Sequence, residues 1–251
     1  DLTDKSGSAR EAAMELIALG LRNSLTCPAP ATLDRRIASW RAFHRMKNLA
    51  SPFETPLLKQ ARAKGRKAAA RPRVAKSPRP VTREVLEQIL ASCDDSLRGL
   101  RDRAILMLGF GSGGRRRSEI TNLYREDIGT DEYTAEGLLW VRLLETKTTG
   151  KDQAPRLPLK GRAARAVMGW IEGAEIEKGP LFRPVSTSGR VLPRALAPDA
   201  IRVILQHRLK LAGLPEDYAT PHGLRAGFLT QAALDGVPLA AAMKLSLHRS
   251  A

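Results

Sequence analysis

The sequence has few of the residues on which several protein classes depend. Aromatic residues make up 4% of its 251 residues, and cysteine occurs twice, as Cys27 and Cys93. Two distant cysteines without a Cys-x-x-Cys pair indicate neither a zinc site nor a disulfide framework, so we expect both to be small buried hydrophobic residues. No apolar run approaches the roughly 20 residues that span a bilayer. A membrane partner is therefore not expected.

Acidic residues are also under-represented. Asp and Glu number 26 against 42 Lys and Arg, which gives a formal net charge of +16. A surface this basic attracts polyanions, and a hydrophobic content of 43% is enough for a folded core. The length predicts one or two domains, and residues 1–5 do not resemble a signal peptide. We expect a cytoplasmic, nucleoid-associated protein that binds nucleic acid.

The N-terminal third has helical periodicity over 8–22, 32–46 and 56–70. From Lys59 to Arg79 the chain has nine basic residues and no acid. We predict a helical domain over 1–70 and an extended basic linker over 71–80, although a run of charge can equally be a solvated surface. The residues predicted to contact the DNA backbone are Arg35, Arg36, Arg41, Lys64, Arg66, Lys67, Arg71, Arg73 and Lys76.

The rest of the chain, 81–251, alternates helical and strand-like patterns. Strands are predicted over 138–147 and 155–159, separated by a turn at Gly150. A short helix is expected to carry Arg115 to Ile120. The longer predicted helices cover 83–92, 97–110, 161–172, 198–212, 222–235 and 238–246. The predicted fold class is mainly α with a small β-sheet (α+β).

A glycine-rich turn follows the second of these helices. Residues 109–114 match Gly-x-Gly-x-x-Gly, but the segment before them has helical rather than strand spacing, and no P-loop is present. No dinucleotide site and no cofactor are therefore predicted. The turn is expected to expose a helix start that carries Arg115, Arg116 and Arg117, which suits an anion.

A His-x-x-Arg pair begins the helix predicted over 222–235. His222 and Arg225 lie three residues apart and so share one face of the helix. Arg provides a fork of donors that fits phosphate oxygens, and His can transfer a proton near neutral pH. Lys147 lies at a predicted hairpin tip, with Lys151 as a rival across the turn. In so basic a chain, this set indicates phosphoryl chemistry on nucleic acid.

Four motifs, taken in order, resemble the tyrosine recombinase or phage integrase superfamily, and the resemblance covers roughly residues 80–251. They are Gly114-Arg115-Arg116-Arg117-Ser118-Glu119-Ile120, Thr146-Lys147-Thr148, His222-Gly223-Leu224-Arg225-Ala226-Gly227 and Leu247-His248-Arg249-Ser250. Residues 1–70 are similar to the helical DNA-clamp domain of that family, and 81–251 to its catalytic domain. The resemblance implies a site-specific recombinase or integrase that cuts and rejoins double-stranded DNA through a 3′-phosphotyrosine, without a metal, as a homotetramer on DNA.

The resemblance also implies roles for individual residues. Arg116, three residues before Glu119, and Arg225 would bind the non-bridging oxygens of the scissile phosphate, with Glu119 in support. The remaining catalytic residues would be Lys147, His222 and His248. Lys147 would protonate the leaving 5′ oxygen, His222 would handle the proton of the nucleophile, and His248 would donate a hydrogen bond to the phosphate.

The nucleophilic tyrosine of the family lies shortly after the residue that matches His248, so we expect it beyond Ala251. None of the chain's own tyrosines matches that position: Tyr124, Tyr133 and Tyr218. Two alternatives stay open. One is a non-catalytic, sequence-specific DNA-binding protein, either recombinase-like or a helix-turn-helix regulator built on Ala232-x-x-x-Gly236. The other is a type IB topoisomerase, which shares the chemistry without strand exchange.

Overall fold

The computed structural model describes residues 8–26, 28–68, 75–143 and 154–247. The chain divides into two compact units, Asp1–Val74 and Ala75–Ala251. The described part of the predicted linker, 75–80, belongs to the second unit. Helices and one three-stranded sheet make up the regular structure of the described residues, which confirms the predicted fold class.

The first unit contains three helices: α1 (Ser8–Ala18), α2 (Pro30–Met46) and α3 (Pro56–Ala68). α1 ends four residues earlier than predicted, just before Gly20, whose φ of 70° ends the helical path. The apolar residues at helical spacing on α2 form a stripe of Leu33, Ile37, Trp40 and Phe43. The stripe is not covered, since no residue of α2 is buried. This unit therefore holds its shape with little apolar burial.

The second unit contains eight helices within its described residues. They are α4 (Arg83–Ala91), α5 (Leu97–Gly111), α6 (Arg117–Thr121), α7 (Tyr133–Glu136), α8 (Gly161–Gly173), α9 (Pro198–Leu211), α10 (His222–Leu234) and α11 (Leu239–Ser246). The six longer ones agree with the predicted bounds to within one residue. α6 begins at Arg117, two residues later than predicted, and α7 was not predicted. None of the described helices combines the length and apolar character needed to cross a membrane.

The sheet is antiparallel, in the order β1 (Ile128–Gly129), β2 (Leu138–Arg142) and β3 (Arg156–Lys160). Leu138 pairs with Lys160 and Arg142 with Arg156. The strand predicted over 155–159 is observed as β3, in which Leu157 and Leu159 are buried and their neighbours are exposed. β2 ends at Arg142, before the predicted end of the strand. Lys147 and Lys151, for which a hairpin tip was predicted, lie outside the described residues.

Helix α5 forms the centre of the second unit. One of its faces supplies Ile105 and Leu108 to a core shared with α8 and the sheet, in which Trp170 is fully buried. Leu106 on another face joins a second cluster that includes Leu224 of α10. Because α5 contacts both clusters, the glycine-rich turn at its C-terminal end is held next to α10. Cys93 is buried in the second cluster, as predicted, and Cys27 lies outside the described residues.

A buried ionic cluster connects α5 to α9. Asp102 accepts hydrogen bonds from Arg101 at 2.7 Å and from Arg208 Nε at 2.9 Å. Arg208 also donates to the carbonyl of Ser92, at the end of α4, at 2.6 Å. A buried carboxylate is stable only when such donors replace water, so this cluster fixes the relative position of three helices.

Candidate DNA-binding and catalytic site

The second unit has an open cavity of about 370 Å³ whose wall is strongly cationic. Six of its nine lining residues are Lys or Arg, and none is acidic. The lining residues are Lys76, Arg115, Arg116, Arg117, Arg202, Thr220, Pro221, His222 and Arg225. Clustered cations on a concave surface attract and orient a polyanion, so this cavity suits a phosphate backbone.

Arg116 is held at the rim of the cavity by Glu119. Arg116 Nη1 donates to Glu119 Oε1 at 2.8 Å, and the backbone N–H of Arg116 donates to Oε2 at 3.0 Å. The carboxylate is almost fully buried, whereas the Arg116 side chain is 43% exposed. The N-terminal end of α6 contributes little positive charge to the cavity, because α6 has only five residues and Glu119 accepts from the backbone N–H of Arg116. The positive charge of the cavity comes instead from guanidinium groups.

Arg225 lies opposite the glycine-rich turn and is mostly buried. Its Nη1 donates to the carbonyl of Gly114 at 2.8 Å, and its Nη2 donates to the carbonyl of Ser246 at 2.7 Å. Gly114 has φ of 77°, and a Cβ there would overlap the backbone of Arg225. Glycine is therefore required for the turn to approach α10. The structure thus places Arg116 and Arg225, far apart in sequence, on one cavity.

His222 begins α10 and lines the same cavity as these arginines and Lys76. Its backbone N–H donates to Thr220 Oγ1 at 3.3 Å. Partial burial of the ring lowers the pKa of His222, and the positive charges of Lys76, Arg225 and Arg116 lower it further. A ring that is neutral near pH 7 can accept a proton from a reacting hydroxyl.

The segment that precedes α4 is fastened to the start of α10. Thr220 N–H donates to Ser77 Oγ at 3.0 Å, Thr220 Oγ1 donates to the Lys76 carbonyl at 2.9 Å, and Val81 N–H donates to the Gly223 carbonyl at 2.9 Å. These bonds bring Lys76 to the cavity wall. The sequence predicted Lys76 as a linker residue, and its position beside His222 could not be inferred from spacing.

Sequence reasoning did not name Arg202 or Thr220 as site residues, and it did not predict the burial of Arg115. Arg202 is exposed on α9 next to buried Ile201. The periodicity of α9 indicated that Arg202 points away from the core, but it did not indicate that Arg202 lies at the cavity. Thr220 gave no signal beyond its position before Pro221. Arg115 belonged to the predicted arginine cluster, but its burial could not be predicted from the motif.

The DNA-binding residues predicted in the first unit lie on α2 and α3. Arg35, Arg36, Lys64, Arg66 and Lys67 are exposed there. Two of the cations have acidic partners on the same unit. Arg66 lies 3.6 Å from Asp34, and Arg41 forms an ion pair with Glu54.

Several predicted residues lie outside the described residues: Arg71, Arg73, Lys147 and His248. Tyr218 lies in the loop before α10, where the Arg79 guanidinium is 5.1 Å from its ring centre. Within the described ranges, no group of three or more His, Cys, Asp or Glu residues is arranged to hold a metal ion.

Comparison with known proteins identifies the family. The model of the phage integrase family matches residues 79–251, so the chain belongs to this family. The resemblance inferred from the four motifs is thereby confirmed. The family match begins close to the start of the second unit and includes every cavity residue except Lys76.

Two curated relatives carry recombinase names. The chain is 30% identical over 162 residues to the integrase/recombinase xerD homolog of Selenomonas ruminantium, which covers 62% of this chain and 46% of the relative. It is 31% identical over 224 residues to the tyrosine recombinase XerC of Rhodospirillum centenum, which covers 88% of this chain and 59% of the relative. The chain therefore spans about half the length of these relatives.

Solved structures share the fold at lower identity. The crystal structure of XerA recombinase matches with a TM-score of 0.54 and 16% identity, over 98% of this chain and 84% of that chain. A lambda integrase dimer bound to a COC′ core site matches with a TM-score of 0.51 and 15% identity, over 99% of this chain and 69% of that chain.

Proposed function

We propose that this chain belongs to a site-specific DNA recombinase that cuts and rejoins one strand at a time through a 3′-phosphotyrosine. The proposal rests above all on one observation. Arg116 and Arg225, from distant parts of the sequence, line one cavity together with His222. A DNA phosphodiester is the anion that the family membership and the chain's net charge favour for this cavity.

The two guanidinium groups would stabilise the reacting phosphate. In-line displacement at phosphorus places additional negative charge on the equatorial oxygens. Arg116, fixed by Glu119, would bind one such oxygen and Arg225 another, because preorganised donors are most effective where charge develops. The proposal thus draws its positive charge from side chains rather than from a metal.

The bond changes follow from the remaining residues. The hydroxyl of a tyrosine, expected beyond Ala251, attacks phosphorus and gives its proton to neutral His222. The bond from phosphorus to the 5′ oxygen breaks, and that oxygen takes a proton from Lys147. The products are a 3′-phosphotyrosine and a 5′-hydroxyl, and His248 would hydrogen-bond the phosphate throughout. Because the phosphoester bond is conserved, a 5′-hydroxyl from the partner strand can reverse the step.

The first unit would bind the duplex away from the reacting phosphate. Its exposed cations on α2 and α3, with the basic residues of the 71–80 segment, would contact phosphates without reading sequence. The tyrosine recombinase names of the relatives suggest strand exchange between two DNA sites, for which we propose a homotetramer on DNA.

The test uses the protein extended through the expected tyrosine and a nicked suicide duplex that traps the covalent intermediate. Arg116→Ala should lower the rate of adduct formation about 100- to 1000-fold, as removal of one preorganised donor does elsewhere. DNA affinity should fall much less, because binding is spread over many phosphates. Arg116 is the preferred position because Arg225 also holds the backbone of Gly114 and Ser246.

The matched control is Arg190→Ala, which removes an exposed arginine from a loop remote from the cavity lining. Its adduct rate should equal that of the unaltered protein. An Arg116→Ala rate equal to that of the control would contradict the assigned role. DNA binding by the extended protein without any adduct would instead favour the alternative of a non-catalytic DNA-binding protein.

A further inference from the structure

Arg115 has no part in the chemistry proposed above, yet it is the most deeply buried arginine of the site. Its side chain is 1% exposed, and its Nε has no hydrogen-bond acceptor among the described residues. Glu119 Oε2 is 4.0 Å from Arg115 Nη1, too far for a strong ion pair. A buried cation with incomplete pairing costs free energy that an apolar side chain of similar volume would avoid. Its presence therefore calls for a specific contact.

That contact is the C-terminal end of α11. Arg115 Nη2 donates to the carbonyl of Leu245 at 2.9 Å, and Arg225 Nη2 donates to the next carbonyl, that of Ser246. The last carbonyls of a helix have no partner within the helix and carry partial negative charge. Two guanidinium groups thus satisfy the end of an eight-residue helix that is too short to be stable alone.

The chain leaves α11 in an unusual direction. Leu247 has φ of 53° and ψ of 40°, the left-handed region that costs a non-glycine residue about 1–2 kcal/mol. This conformation persists only where surrounding contacts impose it. The glycine-rich turn supplies such a contact, because a Cβ on Gly113 would lie 2.6 Å from the Leu245 carbonyl. Arg115 and Gly113 therefore hold the same helix end.

We propose that Arg115 is a positioning residue that anchors the end of α11 to the glycine-rich turn and so fixes the direction in which the chain continues after Leu247. The consequence for catalysis rests on the proposed function, which places His248 and the tyrosine in that continuation. Arg116 and Arg225 would bind the phosphate, while Arg115 would hold the segment that must reach it. Arg115 belongs to the cavity wall, but its side chain is 1% exposed and its donor is directed to the Leu245 carbonyl rather than to the DNA.

Hydrogen exchange on the 251-residue chain tests the anchor without any reference to catalysis. Arg115→Met removes the donor and nearly keeps the apolar volume, so the amides of 239–247 should exchange about tenfold faster, the effect of losing one hydrogen bond. Amides of α5 should not change. Arg115→Lys keeps a donor and should restore part of the protection. Unchanged exchange in 239–247 of Arg115→Met would overturn the anchor.

A second pair of variants tests the same helix end without removing a charge. Gly113→Ala places a Cβ against the Leu245 carbonyl and should also accelerate exchange in 239–247. Gly213→Ala is the matched control, since Gly213 has φ of 74° and no atom within 4 Å of an added Cβ. The control carries similar backbone strain and should leave α11 unchanged. Equal exchange of 239–247 in the two variants would contradict the proposal.

The rate of adduct formation by the extended protein then distinguishes a positioning role of Arg115 from a direct effect of its charge. Arg115→Met should slow it at least tenfold while DNA affinity stays within about twofold, because the phosphate-binding arginines remain. Faster exchange with an unchanged adduct rate would overturn the catalytic consequence. A slower adduct rate with unchanged exchange would show that Arg115 acts through its charge, which also overturns the proposal. If even the unaltered protein forms no adduct, the proposed function fails, and the exchange results still decide the anchor.

Discussion

The two units of the chain differ in how much apolar surface they bury. In the second unit, two contiguous clusters of buried residues surround α5. In the described part of the first unit, Ala13 is the one buried hydrophobic residue, and Leu33, Trp40, Phe43 and Met46 of α2 are exposed. Burial of apolar area is the main favourable term in folding. The second unit is therefore stabilised by its own core, whereas the stability of the first unit depends little on its apolar residues.

The largest expected effect on the free energy of unfolding comes from replacing a tryptophan by alanine, a substitution that can be compared between the two units. Trp170→Ala removes a fully buried ring whose Nε1 donates to the Leu181 carbonyl, so it should lower the free energy of unfolding by about 3–5 kcal/mol. Trp40→Ala removes a ring that is 56% exposed and should change it by no more than about 0.5 kcal/mol. Urea denaturation followed by circular dichroism measures both. Equal losses would mean that Trp40 is packed in solution and that the contrast between the units is wrong.

A smaller effect, of opposite sign in the two units, is expected from glycines inside helices. Gly65 of α3 has no atom within 4 Å of an added Cβ, so Gly65→Ala should stabilise the protein by about 0.5–1 kcal/mol. A Cβ on Gly227 of α10 would overlap the Val81 carbonyl, so Gly227→Ala should destabilise it by about 1–3 kcal/mol. The midpoints of denaturation give the comparison. Stabilisation by both substitutions would contradict the close packing of 76–81 on α10.

The units also differ in how they arrange charge. In the first unit Arg41, Arg62 and Arg66 each have an acidic partner. In the cavity of the second unit, cations crowd together, with Glu119 as the carboxylate beside Arg116. Burial and the charges of Arg225 and Arg116 lower the pKa of Arg115 to about 10, which leaves it charged at neutral pH. The positive field at the cavity therefore arises from charged side chains of the second unit itself.

The smallest expected effect is the titration of His222. Its pKa should lie below the usual value of 6.5, and Arg116→Ala should raise it by removing one of the repelling charges. Because the pKa of His222 is lower in the folded chain than in the unfolded chain, the unfolded chain takes up this proton at a higher pH. The free energy of unfolding therefore decreases as the pH drops below about 6.5. Nuclear magnetic resonance of labelled histidine measures the midpoint. Lys178→Ala, which removes a distant exposed cation, should leave the midpoint unchanged, and an equal shift in both variants would contradict local repulsion.

Much of the second unit could be predicted from the sequence. The six longer helices have apolar residues at helical spacing and cap residues at their ends, and both are local signals. β1 and α7 were missed, because two strand residues and one helical turn carry too little periodicity. The first unit shows the limit of the same reasoning. The stripe of α2 was read correctly as helical, but a stripe does not reveal whether another element covers it.

The site was predicted in part. Arg116, His222 and Arg225 were predicted from motifs, and the structure places all three on one cavity. Arg115 was named in the arginine cluster and Lys76 among the DNA-binding residues, but the groups that surround them come from elsewhere in the chain and could not be predicted. Arg115 meets the end of α11, and Lys76 is placed by Thr220. Neither contact could be predicted from the spacing of residues in the sequence.

The amino-acid sequence was enough to predict the class of fold, the sign of the charge and the residue types available for phosphate chemistry, because periodicity, composition and short motifs are properties of neighbouring residues. Tertiary packing settled what each of the three consecutive arginines at the cavity contacts. Arg116 turns outward onto Glu119, Arg115 turns inward to the end of α11, and Arg117 pairs with Asp199. The three side chains are chemically identical, so the sequence alone does not distinguish them. The packing of α11 and α9 around the turn gives each arginine a different partner.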